Sequence, residues 1–425
     1  MNQNAKRYGI LAIGTICLLF LGLIYAWSVF AKPLQADFGW TKSETANVFT
    51  LSIITFCLGG LTGGILIRKI SASWILRISS VCLAAGFLLS AHITALWQIY
   101  LTYGILCGFG VGLTYNAVLS TVVRWFGDKA ALCSGVLLMG FGSGGFLLST
   151  SANALISANG WSIAFTAIGI AGFAVLIISS FFIVPPKESA SGSKANAAQS
   201  VGLDLSPAQT LRSKTFWLLF LWGAAASSCG LFVIGQGSPL AQFAASSSTV
   251  DIAALASIGA LATGTISVFN GLGRVIIGIV YPKIKRRTSM LIICGGYLLA
   301  LGTVLFAVHT HTIAFIFVGF AVIGLCYGST PAFGVSIVRE FFGTKYYSVN
   351  MSLFNLHLIV SALLGSTLIG WVVSTVSSVA ENALPEVVAA ANLRGYIVGL
   401  GAGLLLSTLG LLLSPFASVK PKAKA

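Results

Sequence analysis

Acidic side chains are nearly missing from this chain. Nine Asp and Glu stand against 24 Lys and Arg in 425 residues, and charged residues of both signs make up only 8%. The few carboxylates lie in predicted loops, so none is an obvious partner for a cation inside an apolar segment. No C-x-x-C pair occurs among the eight cysteines, which all sit in apolar runs and read as small helix residues rather than metal ligands or disulfides. No ATPase motif, metal cluster or nucleophile–base–orienter triad is present. These absences argue against an enzyme, and neither a cofactor nor a bound metal is expected. A transport-inactive sensor is disfavoured as well, because no appended soluble domain is visible.

What the chain has instead is hydrocarbon. Apolar residues make up 57% of it, and the mean hydropathy is strongly positive. A soluble protein of this length could not hide so much apolar surface, so the chain reads as a polytopic membrane protein. The net charge of +15 does not point to nucleic acid, because the basic residues form no stripe with interleaved aromatics. They fall in short segments between apolar runs, as membrane topology demands.

About 20 apolar residues are needed to cross the hydrocarbon core. That window yields spans at 8–30, 43–67, 74–92, 97–122, 131–156 and 161–184, then at 215–240, 252–281, 289–308, 312–338, 348–373 and 392–415. The expected fold is therefore an all-α membrane protein of twelve transmembrane helices in two six-helix bundles. Residues 1–184 and 214–425 form the bundles, the second with a short basic tail, and 185–213 form a polar linker. The linker looks flexible at its start, with a short interfacial helix over Leu205–Ser213. Lys6 and Arg7 precede a first run too long for a cleaved signal, which reads as a retained span. With both termini and the linker in the cytoplasm, 20 of the 24 basic residues lie inside. Three lie outside (Lys32, Lys42 and Arg394), and Arg274 is left within the membrane. That asymmetry places the protein in the inner or plasma membrane, both ends cytoplasmic. Lipid is its surrounding partner.

Arg274 is the residue of most consequence. From Ile252 to Tyr281 it is the single ionisable group. A charge at membrane depth costs at least about 2.5 kcal/mol, so it needs compensation. A small anion arriving from outside would supply it. The alternatives are snorkelling to the basic interface or bonding to backbone carbonyls. Asn270, one turn earlier, shares a face with Arg274 and is placed to hold the guanidinium, or to bond a neighbouring helix. His357 falls at mid-depth in the eleventh span, where it could take a proton, add positive charge or simply bond a neighbouring helix as a neutral ring. Tyr25 and Trp27 in the first span, Tyr115 in the fourth and Tyr327 in the tenth could complete a cavity, each with packing as its alternative role.

Two glycine runs, Gly108-x-Gly110-x-Gly112 and Gly140-Phe141-Gly142-Ser143-Gly144-Gly145, look superficially like phosphate loops. Neither has the preceding strand or the following Lys-Ser/Thr that a nucleotide site needs. Their G-x-x-x-G spacing suits close helix approach instead.

Specific motifs accompany these features. The first span carries Gly22-x-x-Tyr25-x-Trp27-Ser28-Val29-Phe30 and then Pro33. The fourth carries Gly108-x-Gly110-Val111-Gly112-x-x-Tyr115, followed by Arg124-Trp125-Phe126-x-Asp128-Lys129. The eighth carries Phe269-Asn270-Gly271-x-x-Arg274. Together, over nearly the whole chain, they resemble the oxalate/formate antiporter family of the major facilitator superfamily, which is related to the monocarboxylate transporters. The resemblance implies alternating access, an anion held between the bundles, Arg274 on the carboxylate, and Tyr25, Tyr115 and Tyr327 lining the cavity.

Two departures modify that expectation. Oxalate carriers of the family place a lysine in the eleventh span where this chain has Leu358, beside His357. Without that second cation a monocarboxylate such as lactate, pyruvate, formate or acetate fits better than a dianion. A dicarboxylate exchanger or a carrier of a more hydrophobic organic anion is the alternative, with protons or a counter-anion as the coupled species. The loop after the second span also lacks its usual acidic residue, which leaves the charge pairing between bundles in doubt.

Overall fold

The computed structural model describes residues 3–186, 203–246, 252–380 and 384–417, and every regular element among them is helical. Six helices precede the linker: α1 (Asn4–Phe38), α2 (Ser43–Leu66), α3 (Ala72–Ser90), α4 (Leu96–Gly127), α5 (130–159) and α6 (161–182). Six follow it: α7 (Lys214–Ala245), α8 (Ile252–Val280), α9 (Arg286–Thr310), α10 (Ile313–Phe342), α11 (Tyr347–Val376) and α12 (Pro385–Ala417). The stretch Ala130–Phe182 runs through 53 residues without a loop. At 1.5 Å per residue it would measure about 80 Å, far more than the roughly 30 Å hydrocarbon core. Gly160 divides it into two spans, with φ +83° and ψ 164°, a conformation that a side chain would strain. Twelve spans result.

The outward faces of these helices are oily, as in Leu299 (75% exposed) and Leu405 (74%). Such side chains suit lipid and would be untenable in water.

Several ends differ from the sequence expectation. The first span, expected over 8–30, continues through Pro33 to Phe38, where Gly39 (φ +70°) closes the helix and its N–H bonds the Gln35 carbonyl at 3.0 Å. Lys32 therefore lies on a helix face and not in a loop. The carboxylates, expected in loops, lie partly in terminal helical turns: Asp37 in α1, Glu44 in α2, Glu340 in α10 and Glu386 in α12. A hydropathy window sees the oily middle of a span, whereas capping chemistry extends it. Thr41 and Glu44 illustrate this: the Glu44 carboxylate accepts from the Thr41 N–H at 2.8 Å, and the Glu44 N–H donates back to the Thr41 hydroxyl at 3.2 Å.

The linker's short helix is Pro207–Arg212, capped by the Ser206 hydroxyl. Just before it, the Asp204 carboxylate accepts from the N–H groups of Thr344 and Lys345 at 2.9 and 3.1 Å, tying the linker to the α10–α11 turn. The expected flexible start of the linker and the basic tail fall largely outside the described residues.

Within each bundle the glycine spacing allows helices to touch. A Cβ on Gly112 would overlap the Phe56 carbonyl of α2, and one on Gly144 the Leu19 carbonyl of α1. In the second bundle, a Cβ on Gly328 would overlap the Asn270 carbonyl of α8. These are the close approaches that small-residue motifs permit where lipid provides no hydrophobic drive.

The bundles meet at the end that carries Lys6, Arg7, Arg68, Arg286 and Arg339, called the basic end below. There α5 lies against α8, with Gly135 facing the Arg274 carbonyl (2.6 Å to a built Cβ) and Gly278 facing that of Ala131 (2.7 Å). Alongside, α2 and α4 meet α11. The Asn116 amide donates to the carbonyls of Gly60 (3.0 Å) and Ser348 (3.1 Å) and to the Ser352 hydroxyl. Ser348 returns a bond to the Gly64 carbonyl at 3.0 Å, and Ser352 to that of Gly60 at 2.8 Å. Toward the opposite end α1 and α7 part from one another around a cavity, while α2 and α11 still touch there through the Thr50 and Thr367 hydroxyls, 3.4 Å apart.

Candidate functional site

The parting leaves a cavity of about 600 Å³, open away from the basic end and lined from both bundles. From the first bundle, α1 contributes Tyr25, Val29 and Lys32, and α5 contributes Gly142, Phe146 and Ser149. From the second, Ile234 and Ser238 come from α7, Thr263, Ser267 and Asn270 from α8, and Tyr327 from α10. Among the described residues that line it there is no carboxylate, and Lys32 is the one permanent charge.

Arg274 lies directly under the floor of this cavity and is 2% exposed. Its position follows from helix geometry. A long side chain on a helix leans back toward the N-terminus, and the N-terminal half of α8 is the half that lines the cavity. The guanidinium therefore leans toward the chamber instead of snorkelling to the basic end. Its Nε donates to the Asn270 Oδ1 at 3.1 Å, the i−4 pairing that the sequence suggests. Phe141 lies beneath it, with the guanidinium carbon 5.9 Å from the ring centroid. Among the described residues the ion pair is Arg286–Glu340, at 2.7 Å within the second bundle, and Arg274 has no carboxylate partner.

What separates Arg274 from the cavity is thin. Gly142 lines the chamber, and a Cβ there would lie 3.0 Å from the Arg274 Nε, 3.2 Å from its Cζ and 3.4 Å from one terminal nitrogen. On that face the guanidinium is covered by glycine backbone alone, with no side chain over it. Tyr25 and Tyr327, from opposite bundles, complete the floor. Behind them the aromatic rings interlock. Tyr25 meets Phe141 at 5.4 Å, Phe141 meets Tyr115 at 5.0 Å, and Phe56 meets Tyr115 at 5.3 Å, all edge to face. The floor is thus one buried cation with one amide acceptor on it, two tyrosines in front and a rigid aromatic bed below. It has the means to receive a single anionic group from the open side.

Not every residue singled out in the sequence joins this arrangement. Tyr25, Tyr327 and Asn270 line the cavity, and Arg274 underlies it. Tyr115 is one layer deeper, in the aromatic bed. Trp27 is buried, with its indole N–H donating to the Thr45 carbonyl at 2.7 Å and its ring against Tyr103. His357 lies between α7 and α11. Its Nδ1 is 2.7 Å from the Phe354 carbonyl and its Nε2 is 3.3 Å from the Ser227 hydroxyl, and its ring is flanked by Phe220 and Phe354. A carbonyl can only accept, so Nδ1 carries a proton; in the neutral ring Nε2 then accepts from the Ser227 hydroxyl, and both nitrogens are satisfied without a charge.

Lys32, Gly142, Phe141 and Asn116 were not singled out from sequence. For Lys32 a signal existed, since Tyr25, Val29 and Lys32 fall at i, i+4 and i+7 on one helical face. It required reading α1 as continuing past Phe30.

Comparison with known proteins agrees with this fold. Over 340 residues the chain is 28% identical to the uncharacterized MFS-type transporter YhjX of Escherichia coli (strain K12), covering 80% of this chain and 81% of that protein. It is 24% identical over 351 residues to the oxalate:formate antiporter of Oxalobacter formigenes, covering 83% and 81% respectively. Among solved structures, the proton:xylose symporter XylE superposes with a TM-score of 0.71 at 14% identity, over 96% of this chain and 95% of that one. That likeness speaks for the fold alone. Residues 11–366 match the Major Facilitator Superfamily, and with twelve spans in two bundles around a central cavity the chain belongs to that family of membrane transporters.

Proposed function

We propose that this secondary transporter carries a small monocarboxylate, of the lactate, pyruvate, formate or acetate class, by alternating access. The observation that carries the reading is Arg274: a buried guanidinium held by Asn270 under an open cavity, with no carboxylate among the described residues either paired to it or lining the chamber. Arg274 takes the carboxylate, Asn270 fixes the guanidinium plane, and Tyr25 and Tyr327 donate from in front. Tyr115 braces the aromatic bed, while Trp27 and His357 hold the helices around it. The similarity to an oxalate:formate antiporter supports an anion as cargo.

Alternating access follows from solvation. A lone guanidinium resists enclosure between closing bundles because the low dielectric penalises it, and an anion bound to it removes most of that penalty. Loaded closure is then less costly than empty closure, which couples movement to binding. Residues 1–184 and 214–425 would be the two moving bodies, joined by 185–213. With the termini and the basic end in the cytoplasm of a cell membrane, the cavity described above faces outward. Among the described residues no carboxylate lines the cavity to carry a proton, so exchange against a second anion is the simplest coupling, with co-entry of a proton on the substrate as the other. A dicarboxylate exchanger is the second reading, favoured by the position of Lys32 on the cavity wall.

Thermal-shift measurements with formate, acetate, lactate, pyruvate and oxalate, on the parent and on Arg274→Gln, test the reading. Stabilisation by a monocarboxylate that vanishes in the variant is the expected result. Equal stabilisation in both would move the site elsewhere.

A further inference from the structure

Lys32 stands apart from the other basic residues of the chain. It lies on α1 two turns beyond Tyr25, is exposed, and faces the same cavity that Arg274 underlies. Seven residues at about 1.5 Å each put its Cα roughly 10 Å farther out than that of Tyr25 along the helix. Among the described residues it has no ion pair. The carboxylate nearest to it in sequence, Asp37, accepts a hydrogen bond from the Trp161 indole at 2.6 Å and does not line the cavity. The chamber is otherwise walled by hydroxyls, the amides of Asn153 and Asn270, and apolar side chains such as Val29, Phe146, Ile234 and Ile266.

We propose that Lys32 is an outer capture site for the anionic substrate, the first of two cationic stations, with Arg274 as the second. This rests on the anion-carrier reading above and deepens it. A point charge at the rim of a cleft with low-dielectric walls is poorly screened, so its field reaches into the chamber and raises the local concentration of anions there. A lysine suits this role, because a strongly hydrated ammonium on a flexible stem attracts an anion without a fixed docking geometry and so passes it inward. Arg274, planar and fixed by Asn270, supplies the geometry that Lys32 lacks. The attraction scales with ligand charge, so a dianion gains more from Lys32 than a monoanion does. Lys32 thereby adds discrimination between charge states at a position other than the eleventh span.

The first arm of the test needs no transported substrate. With Ser267→Cys as a reporter inside the cavity, modification rates by an anionic and a cationic methanethiosulfonate are compared in detergent-purified protein. Adding Lys32→Gln is expected to lower the anion-to-cation rate ratio by about threefold or more. Lys32→Arg should restore it, and the effect should shrink as ionic strength rises. An unchanged ratio overturns the proposal, whatever Arg274 does. The second arm measures uptake of labelled pyruvate and oxalate into proteoliposomes. In Lys32→Gln the half-saturating concentration should rise several-fold, more for oxalate than for pyruvate, with the maximal rate retained. A ratio that moves while half-saturation for both acids stays fixed would also overturn the capture role. Loss of all response to these acids in the parent, with the rate ratio still sensitive to Lys32, would count against the carboxylate reading and leave the electrostatic role standing.

Discussion

At the basic half of the interface between the bundles, backbone carbonyls, short hydroxyls and one amide hold α2 and α4 to α11, while the opposite half is parted around a chamber with a lysine at its rim. The closed half uses neutral groups throughout its core. Where the family resemblance leads one to expect an acidic partner after the second span, Arg68 instead stacks on the Tyr346 ring, 4.7 Å from its centroid, across the two bundles. The contrast teaches how such a carrier can move. Neutral hydrogen bonds contribute about 0.5–1.5 kcal/mol each, whereas breaking one partner from a buried ion pair costs about 3–5 kcal/mol. A seal of the first kind opens and re-forms within the free energy that a small ligand can supply. Lys32 and Arg274, the cations proposed to meet the cargo, stand outside that neutral core, on the wall and under the floor of the chamber.

The largest expected effect comes from removing the charge under the chamber. Arg274→Gln should reduce uptake of the carried acid by between about tenfold and a few hundredfold, the loss of a charge-assisted hydrogen bond in a dry site. The same variant should melt no lower than the parent in the absence of any acid, because it removes an unpaired buried cation while leaving an amide for Asn270. Loss of uptake together with a large drop in melting temperature would assign Arg274 to architecture instead.

Next in size is a change at the seal. A Cβ on Gly64 would lie 2.6 Å from the Ser352 hydroxyl, 2.8 Å from the Asn116 amide and 2.8 Å from the Ser348 carbonyl. Overpacking of this kind costs about 1–3 kcal/mol, charged only to the state in which α11 is docked. Gly64→Ala should therefore shift the resting population toward opening at the basic end by about fivefold or more. Spin labels at Lys69 and Lys345 would report it as a second, longer distance that becomes the major one. A single unchanged distance would mean that the seal is held elsewhere, at the α5–α8 contact.

Sequence reading recovered the twelve spans, the two-bundle division and the buried arginine because each rests on a local signal: hydrocarbon length, a polar linker, a charge with nothing to neutralise it. It misplaced what depends on a neighbouring helix. The apolar window ends the first span at residue 30 although the helix continues through Pro33 to a glycine cap at Gly39, so Lys32 reads as an outside loop residue and not as part of a helix face. His357 and Arg274 look alike in a hydropathy profile, as lone ionisable residues deep in apolar spans. Only packing tells them apart: α7 supplies Ser227 to one, and the parting of the bundles leaves the other facing a chamber. Gly142 read as one more small residue in a crowded helix, since nothing local marks which glycine stands over a guanidinium.

That glycine allows a smaller and sharper test of the open half. Gly142→Ala should leave the bundles intact while its Cβ crowds Arg274 at 3.0–3.4 Å. Half-saturation for the carried acid should rise by about five- to thirtyfold, equivalent to roughly 1–2 kcal/mol, with the maximal rate little changed. A loss confined to the maximal rate would point to a role in helix movement and not in access to the cation.

The smallest effect is expected at His357, and it separates the closed packing from the open chamber most directly. If the ring is a neutral brace between α7 and α11, an uncharged side chain that preserves the bond to the Phe354 carbonyl should serve nearly as well. His357→Asn places an amide N–H near the position of Nδ1 and loses the acceptor for Ser227, so its cost should be about one neutral hydrogen bond plus some packing, on the order of 1–2 kcal/mol. That should appear as a modest fall in melting temperature. The pH profile of uptake should be the same in variant and parent between pH 5 and 8, because a ring that stays neutral as a packed brace neither gains nor loses a proton during the cycle. A flattened profile in the variant would instead give His357 a proton to carry. It would then have to leave Ser227 and Phe354 on each turn, and the α7–α11 contact would be a moving part of the carrier.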